Sequence, residues 1–497
     1  MFLENENFAH IFATTAETQT ATDQNTESWN IMPREKRLMS YFGRLNYNYA
    51  ERYLLTLIVR RDGSNKLAAG NRFQTFPSVS AGWIISNENF WGFAPVNFLK
   101  LRASWGQNGN IESLDYFQYV SLIEVGVWNY YFNDVLSTGA VPSTLSNKDL
   151  VWETSEQIDI GIDIRMLNNK LSLSADYYDK RTKDLLVQAS TPGITGNNAP
   201  WINAGEVQNT GIEIELSYRD MIGELKYGVN VNFSTNKNEV LSYGNESGSI
   251  TGVGYGTQGR LMTMFEVGYP IGYFFGFQSD GIFQNEEEVL GHTTNGVVLQ
   301  PRAEPGDVRF VDVNGDSLIN DEDRTMIGNP HPKFLFGMGL DFEYKGFDLS
   351  LFFQGTYGND IYNARKRYDV FDVNLETWIY EERWHGEGTS NEYPRLYYGD
   401  ALNGNWNRSD ILIEDASYLR LKDLRLGYTI PKKITEKAKI DRLYFFVQGT
   451  NLLTFTKKGF HGSNPDIGAI WGNLGSGLDF GFYPAAKTYQ IGAKITF

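Results

Sequence analysis

The sequence predicts an all-β fold, a transmembrane antiparallel β-barrel with long extracellular loops, on three observations. Apolar and polar residues alternate with period two from about residue 40 to the C-terminus. About thirteen such segments recur, each of roughly ten residues, the length a tilted strand needs to cross a bilayer and nearly twice that usual in a soluble sheet. The connections between them largely alternate short and long, as they do where tight turns face one side of a membrane and loops the other. A soluble β-sandwich or propeller alternates too, and strand length is what argues against it.

Composition bounds the rest. The chain has 497 residues, 41% hydrophobic and 21% charged, with 29 Tyr, 32 Phe, 11 Trp and 50 Gly but 15 Pro. That balance suits many strands joined by turns. A net charge of -16 lacks the basic footprint that nucleic-acid binding requires, so no nucleic-acid partner is expected. With no cysteine, disulfides, thiolate zinc sites and cysteine nucleophiles are excluded. No apolar run approaches the roughly 18 residues of a membrane helix. The opening "MFLENENFAHIFATTAETQT" has neither the basic start nor the apolar stretch of a signal peptide.

Taken along the chain, residues 1–37 are expected to form an N-terminal segment belonging to an extracellular loop, and residues 38–497 the strands and loops of the barrel. In "SYFGRLNYNY", Tyr41, Leu45, Tyr47 and Tyr49 share one face and Arg44, Asn46 and Asn48 the other. Ile158, Ile160, Ile162 and Ile164 stand against Asp159, Asp163 and Arg165; Leu171, Leu173, Ala175 and Tyr177 against Ser172, Ser174 and Asp176. Ile212, Ile214, Leu216 and Tyr218 oppose Glu213, Glu215 and Arg219, and Val229, Val231 and Phe233 oppose Asn230 and Asn232. The chain closes on Tyr489, Ile491, Ala493, Ile495 and Phe497 against Gln490, Lys494 and Thr496. Aromatic residues tend to cap the apolar rows, as at Tyr49, Tyr177, Tyr344 and Tyr428, in the manner of the girdles of membrane barrels. Short connections fall at 167–169, 220–223 and 344–346, and long, irregular ones at roughly 109–148, 188–208, 236–330, 358–417 and 455–487. Single-chain bacterial barrels have even strand numbers, so an odd count implies part of a longer or split protein.

Several blocks resemble one family. They include "GDVRFVDVNGDSLINDEDRTMIGNPHPKFLFGMGLDFEYKGFDLSLFFQGTYGNDIYN" at 306–363, "WETSEQIDIGIDIRMLNNKLSLSADYYDKRTKDLL" from 152 and "NAGEVQNTGIEIEL" from 203. "YLRLKDLRLGYTIPKKI" from 418, "VQGTNLLTFT" and the terminal "YQIGAKITF" complete the set. Together, from about residue 38 to 497, they resemble the SusC/RagA-like TonB-dependent outer-membrane transporters. The family's signal peptide, carboxypeptidase-like domain, TonB box, plug and first strands have no counterpart here. The resemblance therefore implies the C-terminal part of a barrel of about 22 strands. It further implies TonB-dependent uptake of oligosaccharides or peptides across the outer membrane of a Gram-negative, Bacteroidetes-type bacterium. A SusD-like surface lipoprotein would serve as lid, and TonB would act through the missing N-terminal region. A soluble all-β glycan-binding or adhesin-like protein and a passive porin are the alternatives.

One local motif carries metal chemistry. "DVNGDSLINDEDR" puts Asp312, Asn314, Asp316, Leu318 (through its carbonyl), Asn320 and Asp323 at positions 1, 3, 5, 7, 9 and 12 of a loop, the oxygen spacing of a calcium site. Ser317 stands where an EF-hand has glycine and Asp323 where it has glutamate, and no helix pair flanks the loop. A structural Ca²⁺ that stiffens an outer loop is the expectation, with a solvated acidic turn as the plainer reading. Exposed aromatics in the loops, Trp128, Tyr130, Tyr131, Trp201, Trp406 and Trp471, are candidates for stacking on a ligand, although loop aromatics also pack their own loop. Phe497 after Tyr489, Ile491 and Ile495 fits a terminal assembly signal. No enzyme is expected: the five histidines show no metal-ligand spacing, and there is no GxSxG or Walker loop.

Overall fold

The structure, a computed structural model, describes residues 36–497 except 122, 126–128, 133, 138, 143–144, 190–198, 245–248, 256–259, 367–373, 397–402, 406–407 and 470–471. The expected N-terminal segment, 1–37, lies almost wholly outside the described residues.

Thirteen strands form one continuous antiparallel wall, each paired with the next in chain order. The first six are β1 (Leu38–Tyr49), β2 (Tyr53–Ser64), β3 (Phe73–Ile84), β4 (Val96–Asn110), β5 (Glu153–Met166) and β6 (Leu171–Lys183). Then come β7 (Glu206–Ile222), β8 (Leu225–Thr235), β9 (Phe334–Tyr344) and β10 (Phe347–Tyr357). β11 (Tyr418–Thr429), β12 (Arg442–Thr456) and β13 (Thr488–Thr496) complete it. A further strand, Lys237–Ser242, pairs with the start of β7.

Register explains why the wall has two faces. Residues paired across strands share a face, and the row Tyr47, Leu55, Ala81, Ala103, Ile160, Tyr177 and Ile212 is apolar throughout. One residue along, the row Gly82, Arg102, Gly161 and Asp176 is polar or bare. The apolar face is open: Ile160 is 58% exposed and Ile491 86%. Such a surface is stable only against hydrocarbon. Rings mark both ends of the band. Phe347 and Tyr428 lie 4.4 Å apart near the short turns, and Phe334 and Tyr357 4.9 Å apart near the long loops.

The short turns follow backbone chemistry. Between β9 and β10 only Lys345 and Gly346 intervene, with φ of 46° and 90°, the doubly positive pair that matches strand twist in a tight hairpin. A Cβ on Gly346 would sit 2.9 Å from the Thr429 carbonyl oxygen.

Most of the buried apolar core lies in the long connections, and wall residues such as Phe76 and Val207 join it at the loop end of their strands. Tyr273, Phe274, Phe283, Phe310, Tyr362 and Ile379 are all at most 2% exposed. The connections expected as irregular contain a four-stranded sheet ordered Ser249–Thr251, Thr263–Glu266, Tyr273–Phe277, Arg324–Gly328. They also contain a three-stranded sheet of Ile413–Asp415, Asp360–Asn363 and Leu478–Asp479, and a short helix α1 (Thr377–Glu382). These strands are too short to show alternation, and only packing against one another makes them strands.

A buried ionic knot ties this loop layer together. Lys366 is 3% exposed and its Nζ lies 3.0 Å from Glu414 Oε1, over the rings of Trp378 and Tyr393 at 5.7 and 5.1 Å. Asn363 Nδ2 donates to the same oxygen at 3.0 Å, and the amides of His461 and Gly462 donate to Oε2 at 3.0 and 3.2 Å. The His461 ring stacks on Trp378 with centroids 3.8 Å apart. Burial alone would raise the Glu414 carboxyl, but the Lys366 charge and these donors hold it below its ordinary range. Burial also pushes the Lys366 ammonium down. A buried pair of this kind is costly to break because one charge is left uncompensated.

Two outcomes are expected. Ile160→Arg, on the apolar face near mid-strand, should cost about 2–4 kcal/mol in lipid, and Ser172→Arg on the polar face under about 1 kcal/mol. Denaturant unfolding in vesicles measures both, and equal costs would remove the apolar face from the membrane. Glu414, with its pKa depressed, contributes stability that is complete above its ordinary value of 4.5 and lost as pH falls below it. Glu414→Gln should therefore loosen the loop layer by about 3–5 kcal/mol at neutral pH and remove that acid sensitivity. Limited proteolysis against pH reads it, and unchanged cleavage would refute the knot's role.

Candidate functional site

The concave face of the wall and the loops above it form the surface on which a ligand could act. Sequence alternation assigned polar residues to this face but did not say which would meet. The fold brings Arg102 of β4 onto Asp163 of β5 and onto Ser174 and Asp176 of β6, at 3.1, 2.8 and 2.6 Å. Ser104 donates to Asp159 at 3.0 Å, and Lys183 pairs with Glu156 at 2.7 Å. On the far side Arg425 donates to the Tyr444 hydroxyl at 2.6 Å, and that hydroxyl donates to Asp348 at 2.9 Å. These contacts link strands side to side, and part of the wall's charge is spent on them. Spacing gave no hint of them, since the partners lie 19 to 96 residues apart in chain.

The predicted aromatic platform comes together only in part. Tyr130 and Tyr131 are each 66% exposed. They lie on a hairpin of Tyr130–Phe132 and Val135–Ser137, so adjacent positions point to opposite faces. Tyr130 instead neighbours Phe132, ring centroids 5.0 Å apart. Trp201 is half-buried and packs on the cluster around Leu67, Phe76 and Trp152, which leaves less of its ring for a ligand. Trp128, Trp406 and Trp471 lie outside the described residues. Phe497 follows β13 at the short-turn end and is 89% exposed.

The calcium-type loop holds its shape through its own amides. Asp312 accepts from the backbone of Gly315 and Ser317 at 2.7 and 3.0 Å. Asp316 accepts from Leu318 N at 2.8 Å and from the Asn314 and Asn320 side chains at 3.3 and 3.5 Å. Asp323 is fully buried and accepts from Val313 N and Asn320 N at 2.9 and 2.8 Å. Ser317 takes φ of 70°, the turn for which an EF-hand uses glycine. Asn295 of a neighbouring hairpin donates to Ser317 Oγ at 3.2 Å. Among the described residues, no group of three or more His, Cys, Asp or Glu side chains is arranged to hold a metal ion. The oxygen spacing is present, but its carboxylates turn onto the loop that carries them.

Known proteins supply the remaining evidence. The family model "TonB dependent receptor-like, beta-barrel" matches residues 5–452. TonB-dependent receptor P3 of Formosa agariphila is 32% identical over 476 residues, covering 93% of this chain and 46% of that protein. TonB-dependent receptor SusC of Bacteroides thetaiotaomicron is 29% identical over 496 residues, covering 97% and 46%. The chain thus spans about half the length of the curated relatives it matches. The solved RagAB peptide transporter shares the fold, with a TM-score of 0.73 at 24% identity over 93% of this chain and 48% of that one. Two-faced strands of bilayer length and a family model matching most of the chain agree. The chain belongs to the TonB-dependent receptor-like β-barrel family and is an outer-membrane protein.

Proposed function

We propose that the protein acts in TonB-dependent uptake of oligosaccharides or peptides across the outer membrane, in company with a SusD-like lipoprotein. The observation that carries the reading is the wall itself: one face suits lipid, the other is polar, and packed loops overhang it at one end. No residue set on it argues for catalysis, so its work would be binding and gated passage. In that reading the exposed rings of Tyr130 and Tyr131 meet cargo or lid. Phe497 serves insertion of the finished chain.

Uptake of labelled oligosaccharides and peptides by cells with and without the gene tests it. Uptake should stop when an uncoupler collapses the proton gradient, and passage that survives the uncoupler would mean a passive porin instead. Tyr130→Ala should weaken uptake, and deletion of Phe497 should lower the amount recovered in the outer membrane; full recovery would discard the assembly role.

Calcium on the 312–323 loop is a separate proposal, resting on oxygen spacing. The fit is incomplete: Asp312, Asp316 and Asp323 already accept amide hydrogens, although each carboxylate oxygen keeps a further lone pair. Calorimetric titration of Ca²⁺ should give heat that Asp316→Ala removes. Equal heats, or none, would leave the amide-held loop alone.

A further inference from the structure

The chain carries a net charge of -16, yet one connection at the short-turn end is basic. Between β11 and β12, "PKKITEKAKID" sets four lysines among the eight residues 432–439, against Glu436 alone. Pro431 has no amide to give the ladder, so pairing stops at the Ile430 amide, which donates to the Leu443 carbonyl at 2.9 Å. One helical turn, Lys432–Thr435, and a 3₁₀ turn, Glu436–Ala438, follow. Thr435 pins them: it is 3% exposed, and its carbonyl accepts the Ile440 amide at 3.1 Å. Lys439, at φ of 55°, turns the chain back, and the Asp441 amide donates to the Thr496 carbonyl of β13 at 2.8 Å.

What this segment shows outward is unlike the rest of the short-turn end. Lys433 and Lys437 are four residues apart on helical backbone with Ile434 between them, so the three are neighbours on one surface. All are exposed, Ile434 by 61%. Lysines at other short turns are answered by carboxylates: Lys170 by Asp220 at 2.7 Å, Lys226 by Glu343 at 3.0 Å and Lys345 by Glu224 at 3.3 Å. Lys432 likewise meets Asp441 at 3.0 Å, whereas Lys433, Lys437 and Lys439 make no ion pair among the described residues.

Their place says what these free charges face. Pro431 comes three residues after Tyr428, whose ring with that of Phe347 marks the edge of the apolar band. Three residues of strand span at most about 10 Å, which sets the segment at the depth of lipid headgroups. The hollow at this end of the concave face is lined by Thr429 and Arg442 and by none of the residues between them. The segment therefore does not fold over the polar face. An open isoleucine flanked by lysines, whose long stems let the charge reach outward, is the pattern of an interfacial helix.

We propose that residues 431–441 form a foot on the bilayer surface, where Lys433 and Lys437 bind the phosphates of anionic phospholipids in the leaflet beside the short turns. Ile434 dips among the acyl chains, and Lys439 adds to the field. Each lysine near a membrane surface adds attraction for an anionic leaflet, within the reach that salt allows. The foot requires the apolar face to sit in lipid and is independent of what the protein carries.

With no cysteine in the chain, Ile434→Cys supplies a single thiol for a fluorophore that bromine atoms quench. The protein, purified from outer membranes, is reconstituted with a small fraction of brominated phosphatidylglycerol or of phosphatidylcholine bearing the same brominated chains. Both lipids should quench. Phosphatidylglycerol should do so at about a fivefold lower fraction, the attraction of one lysine for one headgroup charge, and high salt should shrink that ratio. Adding Lys433→Gln and Lys437→Gln should bring the ratio to about twofold or less. Lys170→Gln with Lys226→Gln, the same loss of charge at distant turns, should leave it unchanged. The ratio is taken within each variant, so labelling yield cancels, and equal recovery from the outer membrane checks assembly. No quenching by either lipid would lift the segment off the bilayer and overturn the foot in favour of an acidic partner in the aqueous space. A ratio near one before the lysines are changed overturns headgroup binding. So does a ratio that survives their loss, or one that falls equally with Lys170 and Lys226.

Discussion

A strand in lipid has no water to satisfy its N–H and C=O groups, and each one left unpaired costs several kcal/mol. From β2 to β12 every wall strand answers this with a partner on both sides. Once pairing is fixed, so is register, and once register is fixed the period of two sends every side chain to one face or the other. A slip of a single residue at β5 would bring Asp159 and Asp163 into the bilayer and Ile160 and Ile162 onto the polar side. The hydrogen-bond ladder and the hydrophobic pattern therefore enforce each other. This is why such an exposed apolar surface is a stable feature.

The same constraint explains where the core went. A wall one strand thick, with lipid on one side, has no second layer to bury side chains against. The apolar residues that would fill a soluble core are found in the long connections, where Phe274, Tyr362, Ile379, Leu412 and Leu478 pack in one cluster. Loops this long cost much entropy to order, and the apolar clusters alone do not specify how segments 363–366, 414 and 461–462 meet. The Lys366–Glu414 knot does, because its donors and acceptors come from all three. Buried charge is a weak source of net stability, but it penalises every arrangement that leaves a partner out.

That division also sets what could be read in the sequence. The wall was legible: its alternating segments, their length and the alternation of turns and loops follow from period two and bilayer thickness, so Ile158 to Ile164 could be assigned to one face from sequence alone. The loop layer was not. Strands such as Asp360–Asn363 are too brief for periodicity, and their partners Ile413–Asp415 and Leu478–Asp479 lie far along the chain. The candidate site was legible by residue type and not by meeting point. Alternation placed Asp163 and Asp176 on the polar face, but only register brings Arg102 within 3.1 Å of both. Tyr130 and Tyr131 looked like one platform because they are adjacent in sequence, and strand geometry separates them for that reason.

The 312–323 loop shows how one spacing of oxygens can serve two purposes. Asp and Asn at alternate positions suit a cation because their oxygens can all turn inward, and they suit Asx turns because the same oxygens reach an amide two residues on. Asp316 accepting from Leu318 N and Asn314 from Asp316 N are such turns. The buried Asp323 carboxylate takes amides from both ends of the loop, at Val313 and Asn320, and so closes it as an ion would. The stiffness expected of a metal thus has a source within the chain, and what calcium could add here is tighter closure of a loop already formed.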